Sequence, residues 1–94
     1  VLTMLRQRFN HIVVDMPMPP GIAERAVLSV ARHTVLVLGP DVVSIRDAVA
    51  ARKMVQAIGG TSRAMTVLNR VGLPGGLPAK LVAEGLGAPP DLLI

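Results

Sequence analysis

An α/β fold with a parallel sheet and flanking helices is what this sequence predicts, and three observations carry the prediction. Short apolar runs rich in β-branched residues recur at residues 11–16, 34–38 and 65–69. Each is followed by glycine or proline punctuation, at residues 17–21, at Gly39-Pro40 and at residues 72–76. Between the runs lie segments whose apolar residues recur at helical spacing. Strand and helix in alternation imply crossover connections and a parallel sheet. Near-continuous apolar strands further imply helices on both faces of that sheet. Three strands, or four with the chain end, make it a small one.

The elements follow in order. Residues 1–8 read as the end of a helix, and HIVVDM at 11–16 as a strand that delivers Asp15 to its carboxyl end. A helix over 22–32 turns Ile22, Ala26, Val27 and Val30 inward. After the strand at 34–38 comes the longest helix, 45–58. Ser44 and Asp47 form an S-x-x-D capping box at its start, and Gly59-Gly60 ends it. Its apolar face is Ile45, Ala48, Val49, Ala51, Val55 and Ile58. The strand at 65–69 leads through a Gly-rich loop to a helix that opens near Pro78, a favoured first position, and closes at Gly85 or Gly87. Residues 92–94 open a fourth strand.

Composition narrows the function classes. Half of the 94 residues (51%) are hydrophobic and 17% are charged, too apolar for a chain that stays disordered. The charge-free stretch 33–40 is far short of the roughly 20 residues a bilayer span needs. There is no cysteine and there are two histidines, which excludes disulfides and thiolate or His-rich metal sites. Arg6 and Arg8 follow the first apolar residues instead of preceding them, so no signal peptide is visible and the chain reads as cytosolic. Phe9 is the sole aromatic, so the core must come from aliphatic side chains. The opening Val1 and the bare apolar end Leu92-Leu93-Ile94 predict a piece of a longer chain.

Strands of a parallel sheet all end on one edge, where ligands bind. That edge is predicted to gather Asp15 with its Pro-rich loop, Gly39-Pro40-Asp41, and Asn69-Arg70-Val71-Gly72. Asp15 has two readings: a carboxylate aimed at a hydrated Mg²⁺ beside phosphates, or an acceptor for N–H groups of the following turn. Asn69 either reads a base edge through an amide that both donates and accepts, or starts the Gly-rich loop as an Asx turn. Asp41 reads as a turn residue ahead of the cap, and Met16 and Met18 as loop packing or a soft contact surface. His11 and His33 sit at strand starts, on the opposite edge, which leaves no Ser/His/Asp arrangement. The formal charge of +4 raises nucleic acid as a partner. The arginines are scattered, though, and no aromatic platform exists to stack single-stranded bases.

The blocks FNHIVVDMPMPPG, VLVLGPDVVSIRDAVAARKMV and VLNRVGLPGG together resemble the carboxyl-terminal part of the MinD/ParA family of deviant Walker ATPases. Within that family the likeness is to the CpaE/TadZ branch associated with pilus assembly, and it covers residues 6–94. It implies an incomplete P-loop NTPase fold. Asp15 would be the Walker B carboxylate, holding Mg²⁺ through water. Asn69 would contact adenine with Arg70 flanking or stacking on it, and Pro40 and Asp41 would lie near the nucleotide. The intact parent would bind ATP and Mg²⁺, dimerise around ATP, and localise or organise a type IV (Flp/Tad) pilus machine with pilus or secretion proteins as partners. The resemblance places it in the cytoplasm, at a cell pole or the inner-membrane periphery.

The departures from the family pattern are definite. No G-x-x-x-x-G-K-[ST] loop, and so no P-loop lysine, occurs in these residues, and the switch aspartate is absent. The family's Ile-Pro segment would begin at or just after Ile94, and DMPMPP is bulkier than the usual loop. The pilus-type branch is known for atypical sites, so the resemblance implies a parent that is a weak ATPase, and these 94 residues alone are expected not to turn over ATP. The alternatives are a non-enzymatic scaffold and a septum-site-determining protein of MinD type, with weak membrane or nucleic-acid surface association as a further expectation.

Overall fold

Three parallel strands, β1 (His33–Leu38), β2 (Arg63–Leu68) and β3 (Leu92–Leu93), form one sheet in the order β1-β2-β3. The computed structural model describes residues 2–17, 19–58 and 63–94, without the side chains of Leu2 and Arg63. Four helices accompany the sheet: α1 (Leu2–Arg8), α2 (Ile22–Val30), α3 (Val42–Ile58) and α4 (Ala79–Leu86). The α/β class, the parallel sheet and the flanking helices are as the sequence predicts. Gly59-Gly60, the expected stop of the long helix, and Met18 lie outside the described residues.

Register decides which side chains share a face. Leu36 lies beside Thr66, and Leu38 beside Leu68, which in turn lies beside Leu93. That face receives α3 and α4, and Leu38, Leu68, Ala48, Val82 and Leu86 form its buried cluster, with Ile45, Val49, Leu77 and Ala79 packed around it. Branched and small aliphatic residues fill this space without an aromatic, and burying each leucine or valine contributes roughly 1.5–3 kcal/mol. Gly85 is the second-last residue of α4. Its reason is proximity: a Cβ there would lie 2.8 Å from Ile45 Cγ2, so the missing side chain lets α4 approach α3. Arg52 of α3 donates to the Leu86 carbonyl at 2.6 Å, satisfying one free acceptor at the α4 terminus. Gly87, at φ 81°, completes the stop.

Four expectations need correction. Residues 11–16 have no regular secondary structure. Strand geometry needs a neighbour to bond to, and β1, beyond which no described strand lies, pairs with β2 alone; Val13 is consequently 94% exposed. On α2 the inward face is Leu28 with Val27. Ile22 is 91% exposed, and Ala26 and Val30 also face solvent, because α2 packs on α3 through the Leu28 side. The long helix starts at Val42, three residues before Ile45, for the capping reason given below. Finally, the face of the sheet away from α3 is covered only at its centre, where Val67 is buried. Val35, Val37, Met65 and Leu92, which alternate away from α3, are exposed, so β1 reads exposed and half-buried in turn. Among the described residues no helix is long and apolar enough to cross a membrane.

Candidate functional site

At the carboxyl edge of the sheet, the chain leaves β1 through Gly39-Pro40-Asp41 and β2 through Asn69-Arg70. The two exits are joined by backbone bonds. The Asn69 N–H donates to the Leu38 carbonyl at 2.9 Å, and the Leu77 N–H donates to the Pro40 carbonyl at 2.8 Å. Pro40 is buried beneath the second loop. A Cβ on Gly76 would stand 2.8 Å from Pro40 Cγ and 3.0 Å from the Leu73 carbonyl oxygen. Glycine at 76 is therefore what allows the loop after β2 to lie on the loop after β1.

Arg70 has φ 64°, a left-handed conformation costing a side-chain-bearing residue roughly 1–2 kcal/mol. Its neighbours over-determine it. The Arg70 N–H donates to its neighbour's Asn69 Oδ1 at 3.0 Å. The Arg70 carbonyl accepts from Leu73 N–H at 3.1 Å, and Val71 N–H reaches the Ile94 carbonyl at 2.9 Å. Gly72 and Gly75 take the other left-handed positions of the loop, where glycine carries no penalty. The Asx turn expected at Asn69 is not formed, because the N–H two residues on, that of Val71, goes to Ile94 and Oδ1 takes the Arg70 N–H instead. The Asn69 side-chain carbonyl retains a second lone pair and its amide two donors, and the exposed Arg70 side chain stands beside it. Both are compatible with a planar heterocycle that offers one donor and one acceptor.

Asp41 is the helix cap. Its Oδ1 accepts the Ser44 backbone N–H at 2.7 Å, its Oδ2 accepts the Ser44 hydroxyl at 2.9 Å, and its carbonyl receives the Ile45 N–H at 3.1 Å. The expected Ser44/Asp47 box is replaced by this arrangement, because Asp41 reaches the free donors one turn earlier. The pattern Gly-Pro-Asp-x-x-Ser, with Asp three residues ahead of a hydroxyl, is the sequence signal for it. The cap also fixes the charge: the Ser44 N–H, and then its hydroxyl, hold the Asp41 carboxyl below the ordinary aspartate value of 3.8. A carboxyl whose folded pKa is depressed stabilises the fold above its unfolded pKa, and that contribution fades as pH falls through the folded value. In thermal melts, the wild-type chain is expected to lose more of its melting temperature than Asp41→Asn as pH falls below the ordinary aspartate value, since an amide caps without titrating.

Of the five predicted site residues, Pro40, Asp41, Asn69 and Arg70 come together on this rim. Asp15 does not join them through any bond: it is exposed and makes no hydrogen bond or ion pair to a described residue, and it follows a stretch outside the sheet. His33 begins β1, on the opposite edge as expected; His11 begins no strand. Two elements of the site were not legible at the sequence level, the Gly76–Pro40 approach and the Leu77 N–H bond to Pro40, since neither has a local motif. Nearby, α3 and α4 flank an open groove of about 460 Å³ lined by Val42, Ile45, Val49, Leu77 and Leu81, with Arg46 at its side. This lining is apolar, and its one charged group is already engaged with Asp47 at 3.6 Å.

Asn69 and Arg70 supply amide and guanidinium chemistry on the rim, whereas no group of three His, Cys, Asp or Glu side chains able to hold a metal ion exists among the described residues. Asp15 alone suits a magnesium ion only as one carboxylate acting through water. Comparison with protein-family models, curated proteins and solved structures finds no match for this chain.

Proposed function

We propose that this chain is part of a MinD/ParA-type ATP-binding protein that localises or organises a type IV (Flp/Tad) pilus assembly machine. In this reading the parent is a dimeric, ATP-dependent switch, cytoplasmic and stationed at a pole or the inner-membrane periphery. The observation that carries it is the seating of the Asn69-Arg70 loop on the Pro40-Asp41 loop at the carboxyl edge. That is where a parallel sheet binds ligands, and where the sequence resemblance puts adenine. Asn69 presents the amide, Arg70 lies against the ring face, and Pro40 fixes the depth of the loop. Asp41 serves by capping α3 and so holding Pro40 in place. Mg²⁺, when bound with ATP, would offset phosphate charge, with Asp15 as its water-mediated partner.

Phosphate affinity in such proteins comes mainly from backbone N–H groups and a lysine in a Gly-rich loop, and no such loop occurs in these residues. The 94-residue chain alone therefore binds ATP feebly and does not hydrolyse it. A non-enzymatic scaffold is the second reading, favoured by an exposed Asp15 that makes no hydrogen bond or ion pair to a described residue. Base discrimination tests the assignment of the rim. The parent chain is expected to prefer ATP to GTP, and Asn69→Ala to reduce that preference on the order of tenfold, as loss of one specific amide contact would. Equal affinity of the wild-type parent for the two nucleotides removes Asn69 from the role.

A further inference from the structure

The loop that leaves β2 is bonded to the strand beside it. At the start of β3, Asp91 and Thr66 bond in both directions. The Asp91 N–H donates to the Thr66 carbonyl at 2.9 Å, and the Thr66 N–H donates to Asp91 Oδ2 at 2.9 Å. At the end of β3, the Ile94 N–H donates to the Leu68 carbonyl, and the Ile94 carbonyl accepts the Val71 N–H, both at 2.9 Å. That last bond decides how Asn69 is used. An Asx turn would bring the N–H two residues on to the Asn69 side-chain carbonyl, and Ile94 takes that donor away. Oδ1 closes instead on the adjacent Arg70 N–H at 3.0 Å, with Arg70 held in the left-handed region at φ 64°.

We infer that, on the reading of this rim as the base side of a nucleotide site, β3 orients the amide of Asn69, with Asp91 as the positioning residue. The Asp91 carboxylate stands where a neighbouring strand would offer a backbone carbonyl to Thr66. Thr66 is 5% exposed, so its N–H has little water to turn to when that acceptor is lost, and an unsatisfied buried donor is costly. The start of β3 then loosens, and Ile94, three residues on, loses its seat on Leu68. The Val71 N–H that Ile94 releases is the donor an Asx turn uses. The two arrangements compete for this one N–H and exclude each other. Once the turn forms, the Asn69 side chain folds back on its own loop and its amide no longer faces a base. Asp91 itself touches no ligand; it acts through Ile94, Val71 and Asn69.

The test is made on the parent chain, by hydrogen exchange without nucleotide and by titration with ATP and with GTP, for the wild type, Asp91→Ala, Asp91→Asn and Ile94→Pro. Asp91→Ala is expected to speed exchange of the Ile94 amide on the order of tenfold, with the β1 amides as protected as in the wild type. Its preference for ATP over GTP is expected to fall towards the roughly tenfold loss expected of Asn69→Ala. An amide oxygen can still accept the Thr66 N–H, so Asp91→Asn is expected to restore both. Ile94→Pro deletes the donor to Leu68 and should lower the same preference; it carries the test if Asp91→Ala does not fold. A merely structural weakening would reduce affinity for both nucleotides alike, and an unchanged ratio in Asp91→Ala with faster Ile94 exchange would overturn the inference alone. Ile94 exchange indifferent to Asp91→Ala would overturn it too, as would an Asp91→Asn chain that behaves like Asp91→Ala. A wild-type parent with no preference between ATP and GTP would overturn the base-side reading itself, and the inference with it.

Discussion

Leu68→Ala is expected to destabilise the fold by about 3 kcal/mol, within the range of roughly 2–5 measured for buried leucines. Leu68 lies on the central strand with no solvent exposure, and it touches both the sheet and the helical layer of the core cluster. Its neighbours are Leu38 and Leu93 in register and α3 and α4 above, so a cavity opens where neither strand can move inward without breaking pairing. A domain of this size has about 5–14 kcal/mol to lose, and no aromatic residue in the cluster can repack into the void. Urea unfolding should show a lower midpoint with an unchanged m-value. Leu92→Ala, at an exposed position of the same sheet, is the control and should shift stability by about 0.5 kcal/mol or less. Equal effects of the two substitutions would mean that the core lies elsewhere.

Gly76→Ala is expected to cost about 2 kcal/mol and to weaken the candidate site at the same time. The added methyl would press on the Pro40 ring at 2.8 Å and on the Leu73 carbonyl oxygen at 3.0 Å, and neither is a flexible side-chain end. Overpacking of this kind typically costs roughly 1–3 kcal/mol. The relief available is to lift the loop, which lengthens the 2.8 Å bond from Leu77 N–H to the Pro40 carbonyl. Hydrogen exchange at the Leu77 amide should accelerate in the variant while the amides of β1 and β2 stay protected relative to it. By contrast Gly75→Ala meets no atom within 4 Å, and its φ of 80° alone is at issue, so it should cost less and leave Leu77 protected. A Leu77 amide unaffected by Gly76→Ala would separate the two loops that the site depends on.

Elements whose partners are close in sequence were the legible ones. The strands at 34–38 and 65–69 and the helices near 45–58 and 78–87 each carry their own pattern and punctuation, and all are found within a few residues. The strand reading of residues 11–16 failed for a physical reason: β-branched content gives a segment the capacity to pair, but pairing belongs to a neighbour, and no described strand bonds to it. On α2, the apolar residues Ile22, Ala26 and Val30 suggested one face, whereas contact with α3 selected Leu28. The start of α3 was misread because a serine with an acid three residues on looks like a cap, while the better acceptor, Asp41, stood three residues earlier. For the rim, topology alone brought Pro40, Asp41, Asn69 and Arg70 to one edge. The contact that joins them, glycine against proline across 36 residues of chain, has no sequence signature.

The proposal that the parent binds ATP is tested most directly by one measurement, calorimetric titration of the parent chain with Mg-ATP beside its Asp15→Ala variant and the 94-residue chain. Binding by the parent, loss of the magnesium-dependent part of the affinity in Asp15→Ala, and no detectable heat from the 94-residue chain are the predicted results. A parent chain that binds no Mg-ATP would contradict the ATP-binding account and leave the scaffold reading in its place.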